Sequence, residues 1–322
     1  MILIAPDKFK GTYTAAEVCG IIARWLRRQG VTEEIAERPM SDGGEGSAEV
    51  LLPGAEKIAP GLYEDSSRGL RLAVSSERVG HRAFAGTDIP LMHRSSYALG
   101  EVIAPGIPTM IAIGGTAVSD AGAGFLQALG ARFFDKNGRE ITRHLTPATL
   151  CDVYSADLSA LAAYDLKGIV DVKASLTDGP LSALDFARQK ALPGEDLSCL
   201  RDALSHFQHV LGGCSGWDGA GGGLGYAIAS VIKAPCVSGA QAAVDTLGID
   251  WASVTHVYTG EGHVDRQTVR GGKLVDAVYR AATGRGIPCT VICGIADPDL
   301  PYPHIIPISE IISQLSSLSS QL

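Results

Sequence analysis

The sequence is poor in charged residues, has no excess of basic ones, and contains no long apolar run. Charged residues make up 19% of the 322, and 27 Lys and Arg against 35 Asp and Glu give a net charge of −8. Because a basic field supplies most of the affinity in general nucleic-acid binding, this balance argues against that function. A few local lysines could still hold a small anionic substrate. No uncharged apolar run reaches the length of a membrane span, so no spanning helix is predicted.

The first residues, MILIAPDKFK, lack the apolar core of an export signal because charges follow almost at once. We therefore expect a cytoplasmic protein with reduced thiols. The seven cysteines are odd in number and irregularly spaced. Cys289 and Cys293 would share one face of a strand, and we expect them to belong to the core and not to a metal site.

Four motifs of well-known enzyme classes are also missing. The chain has no strict GxGxxG, no HExxH and no GxSxG. The P-loop pattern fails as well, since Leu274 follows Gly272 and Lys273 where that pattern needs Ser or Thr. These absences disfavour a nicotinamide-dependent dehydrogenase and a standard P-loop enzyme.

Glycine, in contrast, is abundant and clustered. It makes up 39 of 322 residues, about 12% against a usual share of about 7%. Four glycine-rich segments stand out, at residues 39–47, 114–124, 218–225 and 259–265. The first, second and fourth segments follow a predicted strand, and the third segment precedes a predicted helix. Ligands bind beyond the carboxyl ends of strands in open α/β sheets, and glycine lets backbone N–H groups approach phosphate.

The glycine-rich segments also contain six acidic residues. They are Asp42, Glu45, Asp120, Asp218, Glu261 and Asp265. Such carboxylates would repel phosphate unless they hold Mg²⁺ or orient an attacking hydroxyl. The nearby cations are Lys8, Lys10, Arg266 and Lys273. The combination favours nucleotide-dependent phosphoryl transfer, although Asp42, Asp120 and Asp218 could each be simple helix N-caps.

Alternating strands and helices at both ends of the chain predict an α/β fold of two domains. Residues 1–55 and 230–322 would form a parallel-sheet domain, interrupted by an inserted mixed α+β domain at 56–229, with the active site in the cleft between them. In the insert, LRLAVSSERVG and HRAFAG are interpreted as short strands without an intervening helix.

Five segments in one order resemble bacterial type I glycerate kinases: APDKFKGTYTA, SDGGEGS, GGTAVSDAGAGFLQALG, GAGGGLG and TGEGHVDRQT. The resemblance implies a two-domain α/β fold with a flavodoxin-like part. It also implies ATP-dependent phosphorylation of D-glycerate, usually on the 2-hydroxyl, with Mg²⁺ accompanying ATP. The chain differs from the family pattern at Lys8, Ser119, His263 and Arg266, in a shortened segment at 84–94 and in an altered stretch at 171–178.

Residues and resemblance together define the candidate site. The candidate catalytic residues are Asp42, Lys10 and Asp120, of which Asp42 and Asp120 are also the candidate metal ligands. The candidate substrate- or nucleotide-binding residues are Asp7, Lys8, Gly43, Gly44, Glu45, Gly114, Gly115, Gly221, Gly222, Glu261, Asp265 and Arg266. The expected partners are ATP and a small hydroxyacid, with neither nucleic acid nor membrane, and a homo-oligomer is left open. The alternative, suggested by the shortened segments, is a non-catalytic paralogue that binds nucleotide or an organic acid.

Overall fold

The computed structural model describes residues 1–9, 11–40, 47–170, 172–190, 192–245, 247–270 and 273–317. The chain divides into two compact units. Met1–Asp42 and Gly239–Leu322 form the first unit, and Gly43–Ser238 forms the second. The first unit is therefore built from both ends of the chain, with the second inserted into it.

The strands of the described residues are short, and most have three to five residues. In chain order they are β1 (Ile2–Ile4), β2 (Ile35–Glu37), β3 (Glu56–Ala59), β4 (Leu62–Asp65), β5 (Leu70–Val74), β6 (Thr109–Ala112), β7 (Arg132–Phe134), β8 (Ser155–Asp157), β9 (Leu166–Val170), β10 (Cys236–Ser238), β11 (His256–Val264), β12 (Cys289–Ala296) and β13 (Ile305–Pro307).

The α-helices are α1 (Ala15–Arg28), α2 (Ser47–Leu51), α3 (Ser75–Val79), α4 (Tyr97–Gly100), α5 (Ala123–Ala128), α6 (Ala183–Gln189), α7 (Gly194–Leu211), α8 (Gly239–Asp245), α9 (Arg266–Arg270), α10 (Leu274–Thr283) and α11 (Ile308–Ser317). Short 3₁₀ turns lie at His81–Phe84, Leu91–His93, Pro147–Asp152, Ser159–Ala163, Ala220–Gly223 and Trp251–Ser253, and a π-helical turn lies at Tyr226–Val231.

The first unit is built on five parallel strands in the order β13-β12-β11-β1-β2. Numbered within the unit, this order is 2-1-3-4-5, which is the flavodoxin-like arrangement. The predicted flavodoxin-like part is thus confirmed. In such a sheet the crossover direction reverses between the first and third strands, here β1 and β11, and a crevice opens beyond their carboxyl ends.

Helix α1 shows how local sequence builds this unit. Thr14 and Glu17 form a capping box, in which each side chain accepts a hydrogen bond from the other residue's backbone N–H. Val18, Ile22 and Leu26 follow at helical spacing and are buried. They pack in one core with apolar residues of β1, β12 and α11.

The second unit contains a six-stranded mixed sheet in the order β10-β9-β6-β5-β4-β3. Strands β3, β4 and β5 are antiparallel, whereas β5, β6, β9 and β10 run parallel. Strands β7 and β8 form a separate antiparallel pair. The largest fully buried side chains of this unit include Phe125, Phe133, Phe207 and Tyr226. The predicted mixed character of this part is confirmed.

The segment after β5 differs from the sequence prediction of two joined strands. SSERV forms helix α3, and the following HRAF forms a 3₁₀ turn. The Ser75 hydroxyl is buried and donates to the carbonyl of Gly114, so the chain turns back over the end of β6 instead of extending past it. This long-range contact cannot be recognised from local alternation of apolar residues.

Helices α6, α7 and α11 were not predicted, although their signals are present in the sequence. In α7, Leu200, Ala203, Leu204 and Phe207 are buried at helical spacing. Helix α6 begins with a capping box formed by Ser182 and Asp185.

Cys289 and Cys293 are both buried within β12, which confirms that they belong to the core. Among the described residues, no helix is both long enough and apolar enough to cross a membrane.

Candidate functional site

The second glycine-rich segment lies at the carboxyl end of β6, in the second unit. The Ala117 N–H donates to the carbonyl of Val79 (2.7 Å), and the carbonyl of Gly114 accepts from Ser75 (3.1 Å). Gly115 has a φ of +68°, which turns the chain directly after the strand. Among the described residues, the N–H groups of Gly114 and Gly115 have no hydrogen-bond partner. They are therefore available to an acceptor supplied by a ligand.

The third glycine-rich segment packs against the second, backbone to backbone. Gly222 has a φ of +71°, and a Cβ built on it would lie 1.9 Å from the carbonyl oxygen of Val118. A Cβ on Gly223, at φ +93°, would lie 2.4 Å from Cα of Ala121. The Ala121 N–H donates to the carbonyl of Gly222 (3.2 Å). Glycine is thus required here for loop–loop packing, in addition to any approach to phosphate.

A cavity of about 360 Å³ opens beside these two loops. This volume lies at the lower end of the roughly 300–1,000 Å³ that is typical of small-molecule pockets. Its lining contains residues 113–116 and 220–222 together with His81, Val172, Phe186, Gln189 and Lys190. Four predicted binding residues, Gly114, Gly115, Gly221 and Gly222, are therefore brought together on one cavity.

Lys190 is a cationic lining residue that sequence reasoning missed. It follows the last turn of α6 and is half-buried, and its Nζ donates to the carbonyl oxygen of Val118 (2.6 Å). Burial lowers the pKa of Lys190 to about 8; the charge of Asp120 opposes this shift and that of Arg94 adds to it. No motif marks Lys190. The capping signal of α6 could have placed a helix there, but could not have shown where its end points.

Asp120, a predicted catalytic residue and metal ligand, is fully buried. Its Oδ2 accepts from the N–H (2.7 Å) and hydroxyl (2.8 Å) of Ser96 and from the N–H of Gly124 (3.2 Å), and its Oδ1 accepts from the N–H of Gly122 (3.2 Å). Burial raises the pKa of Asp120, and these donors counteract the rise. In this structure Asp120 ties its loop to the start of α4, and its predicted catalytic and metal roles stay predictions.

Asp218 is likewise buried and serves a local structural purpose. Its carboxylate accepts from the N–H and hydroxyl of Ser215 and from the hydroxyl of Ser230 (2.6 Å). It therefore joins the loop before the third glycine segment to the π-helical turn that follows it.

In the first unit, β1 and β11 place two predicted residues at one sheet edge. The Asp7 N–H donates to the carbonyl of Gly260 (2.8 Å), next to Glu261 in the chain. Asp7 is 9% exposed, Glu261 is half-buried, and the backbone N–H of Lys8 donates to the Asp7 carboxylate (2.7 Å). These residues lie at the switch point of the sheet, where ligands bind in flavodoxin-like folds.

Thr268, a second residue that sequence reasoning missed, connects Glu261 to Asp265. The hydroxyl of Thr268 is buried and donates to Glu261 Oε1 (2.7 Å), while the Thr268 N–H donates to Asp265 Oδ1 (2.8 Å). Asp265 also faces Lys273 Nζ at 3.8 Å, and Arg266 is exposed at the start of α9. Thr268 thus links the two carboxylates through its hydroxyl and its backbone N–H.

Five predicted residues lie outside the described part of the chain, namely Lys10, Asp42, Gly43, Gly44 and Glu45. Within the described part, no group of three or more His, Cys, Asp or Glu side chains is placed to hold a metal ion. Asp120 does not suit direct Mg²⁺ coordination in this conformation, because its oxygens already face N–H and O–H donors.

Comparisons with known proteins agree with the resemblance seen in the sequence. A sequence model of the glycerate kinase family matches residues 2–321. The glycerate kinase of Haemophilus influenzae is 30% identical, covering 99% of this chain and 93% of that protein. The glycerate 2-kinase of Escherichia coli is 28% identical, covering 99% and 91%, and the Bacillus subtilis glycerate kinase is 28% identical, covering 92% and 86%.

A solved structure supports the fold. The crystal structure of a protein assigned as glycerate kinase 2 from Salmonella typhimurium LT2 matches with a TM-score of 0.77. The match covers 100% of this chain and 99% of that one at 23% sequence identity. At this identity the likeness concerns the arrangement of helices and strands.

Proposed function

Because the chain belongs to the glycerate kinase family, we propose that this enzyme uses Mg²⁺-ATP to phosphorylate D-glycerate on its 2-hydroxyl. The observation that carries the proposal is the cavity of the second unit, where two glycine loops and a lysine line one space of about 360 Å³. The family membership supports the reaction class. The nucleotide, the metal and the position of the phosphoryl group are the parts we propose.

The lining of the cavity suits a phosphorylated ligand. No described residue accepts a hydrogen bond from the N–H groups of Gly114 and Gly115, so both can donate to a ligand. Lys190 adds a cation to the same cavity. Ile113, Val172 and Phe186 supply apolar surface on the same cavity. Phosphoryl transfer depends mainly on positioning and on neutralising charge, and this set of groups can do both.

The acceptor is anionic, and the protein carries a net charge of −8. Local cations must therefore offset the overall field before a carboxylate can bind.

At the switch point of the first unit, Asp7 and Glu261 supply carboxylate oxygens of the kind that can accept a hydrogen bond from an attacking hydroxyl. Thr268 fixes the second of these two carboxylates.

The test is ADP formation by purified protein with Mg²⁺, ATP and D-glycerate, compared with L-glycerate, glycolate, lactate and tartronate. Phosphorus NMR of the product identifies the phosphorylated hydroxyl. Activity on D-glycerate giving the 2-phosphate is the expected result. Activity only on another acid would retain a kinase and refute the substrate. ATP binding without ADP from any acid would favour the non-catalytic paralogue.

A further inference from the structure

Within the described part of the chain, Lys190 makes one hydrogen bond in the cavity wall, to a neutral backbone carbonyl. Its ammonium group has three N–H donors, and the structure shows one of them used, by the carbonyl of Val118. No carboxylate of the described residues lies within ion-pair distance of Nζ. The nearby acid, Asp120, already accepts four hydrogen bonds from other groups. Among the described residues, two donors of this half-buried cation are therefore left for another acceptor.

The charged groups that surround Lys190 in the described part of the chain do not supply that acceptor. Asp120 attracts the ammonium charge and Arg94 repels it, while the guanidinium of Arg94 is itself turned to the carbonyls of Ile89 and Ala117. His81 also lines the cavity. On the helix of Lys190, Asp185 is engaged by Ser182 and Arg188.

We propose that Lys190 binds an oxyanion of the ligand in this cavity, together with the N–H groups of Gly114 and Gly115. The inference deepens the proposed function, on which it rests for the identity of the ligand. The shared chemistry is an oxyanion, which could be a phosphate group of the nucleotide or the carboxylate of the acceptor. Lys190 is thereby assigned as a residue that contacts substrate, which its sequence context does not reveal.

The proposal predicts proton uptake on binding. With a pKa of about 8 in the free protein, about half of the Lys190 side chains are neutral at pH 8. An oxyanion stabilises the charged form, so binding at pH 8 should take up more protons in wild type than in Lys190→Arg, and the two proteins should differ little near pH 6. Calorimetry in buffers of different ionisation enthalpy measures the uptake. The probes are inorganic phosphate, ADP and D-glycerate, each added separately.

Two variants of Lys190 and one control make the test specific. Lys190→Gln should weaken binding of the relevant probe at least about tenfold, roughly 1.4 kcal/mol, and abolish the part of the uptake that belongs to Lys190. Lys190→Arg keeps a permanent charge, so it should retain most of the affinity and yet lose the part of the proton uptake that belongs to Lys190. Arg188→Gln removes an equal charge from an exposed position of the same helix and should change neither quantity.

The outcomes separate the inference from the proposed function. Uptake with ADP but not D-glycerate assigns the oxyanion to the nucleotide, and the reverse assigns it to the acceptor. If wild-type protein forms no ADP but binds inorganic phosphate in a Lys190-dependent way, the oxyanion site stands and the kinase proposal fails. If no probe binds, or if binding and uptake are the same in Lys190→Gln as in wild type, Lys190 is only a structural partner of Val118 and the inference is wrong.

Discussion

The packing of the two glycine loops makes a quantitative prediction for Gly222→Ala. The new methyl group would lie 1.9 Å from the carbonyl oxygen of Val118 and 2.9 Å from Cα of Ser119. Both contacts are with backbone, so no side chain can rotate away to relieve them. One of the two loops must move, and the carbonyl of Val118 is also the acceptor for Lys190.

The expected loss of stability has two parts. A residue other than glycine at a φ of +71° costs roughly 1–2 kcal/mol, and an overpacked contact adds roughly 1–3 kcal/mol. Gly106→Ala is the matched control, because Gly106 has a φ of +73° and nothing within 4 Å of the added Cβ. The control should therefore lose the first part only, and the difference between the two variants measures the contact between the loops.

The assay must report on the second unit alone, since a chain of two units need not unfold in one step. The chain has three tryptophans, at positions 25, 217 and 251, and Trp217 lies in the second unit. Protein labelled with 5-fluorotryptophan gives one fluorine NMR signal per tryptophan. The urea dependence of the Trp217 signal then gives the free energy of unfolding for each variant.

Equal losses in Gly222→Ala and Gly106→Ala would refute the reasoning, because the close approach of the loops would then contribute nothing. Under conditions where Gly222→Ala remains folded, its affinity for inorganic phosphate should also fall at least about tenfold. Gly106→Ala should bind phosphate as wild type does.

Four further predictions concern single side chains. Asp120→Asn should lower the free energy of unfolding by about 3 kcal/mol, because an amide NH₂ would face N–H donors; urea unfolding like that of wild type with turnover lost would instead favour the predicted catalytic role. Thr268→Val should lower kcat about tenfold by releasing Glu261, with recovery in Thr268→Ser; steady-state kinetics on the folded variants decide this. Thr14→Ala should remove a capping box and lose about 1 kcal/mol in urea unfolding without changing kinetics. Burial lowers the pKa of Lys190 to about 8 in the folded protein, whereas an unfolded lysine has a pKa of about 10.4. Between these two pH values the unfolded state therefore binds more protons than the folded state. Stability should therefore rise with pH across that window by roughly 3 kcal/mol at most, and urea unfolding of Lys190→Met should show a flatter dependence.

Several parts of the candidate site could be predicted from the sequence because their signals are local. Clustered glycines after a predicted strand and before a predicted helix indicated Gly114, Gly115, Gly221 and Gly222 as loop residues, and the structure brings these four onto one cavity. The same local reasoning could not decide which role Asp120 has. An acid before a helix is compatible with a cap, a metal ligand or a buried anchor, and only its contacts with Ser96, 24 residues away, show the anchor.

The sequence by itself determined the class of fold, the positions of the glycine loops and the ends of helices such as α1, since periodicity, capping and turn preferences act over a few residues. The tertiary structure alone decided which side chains meet. Lys190 reaches a carbonyl 72 residues earlier in the chain, and the acids at the end of β1 and in β11 share one edge although more than 250 residues separate them. These contacts arise from strand order and loop packing, which depend on burial across the whole unit and leave no local pattern in the sequence.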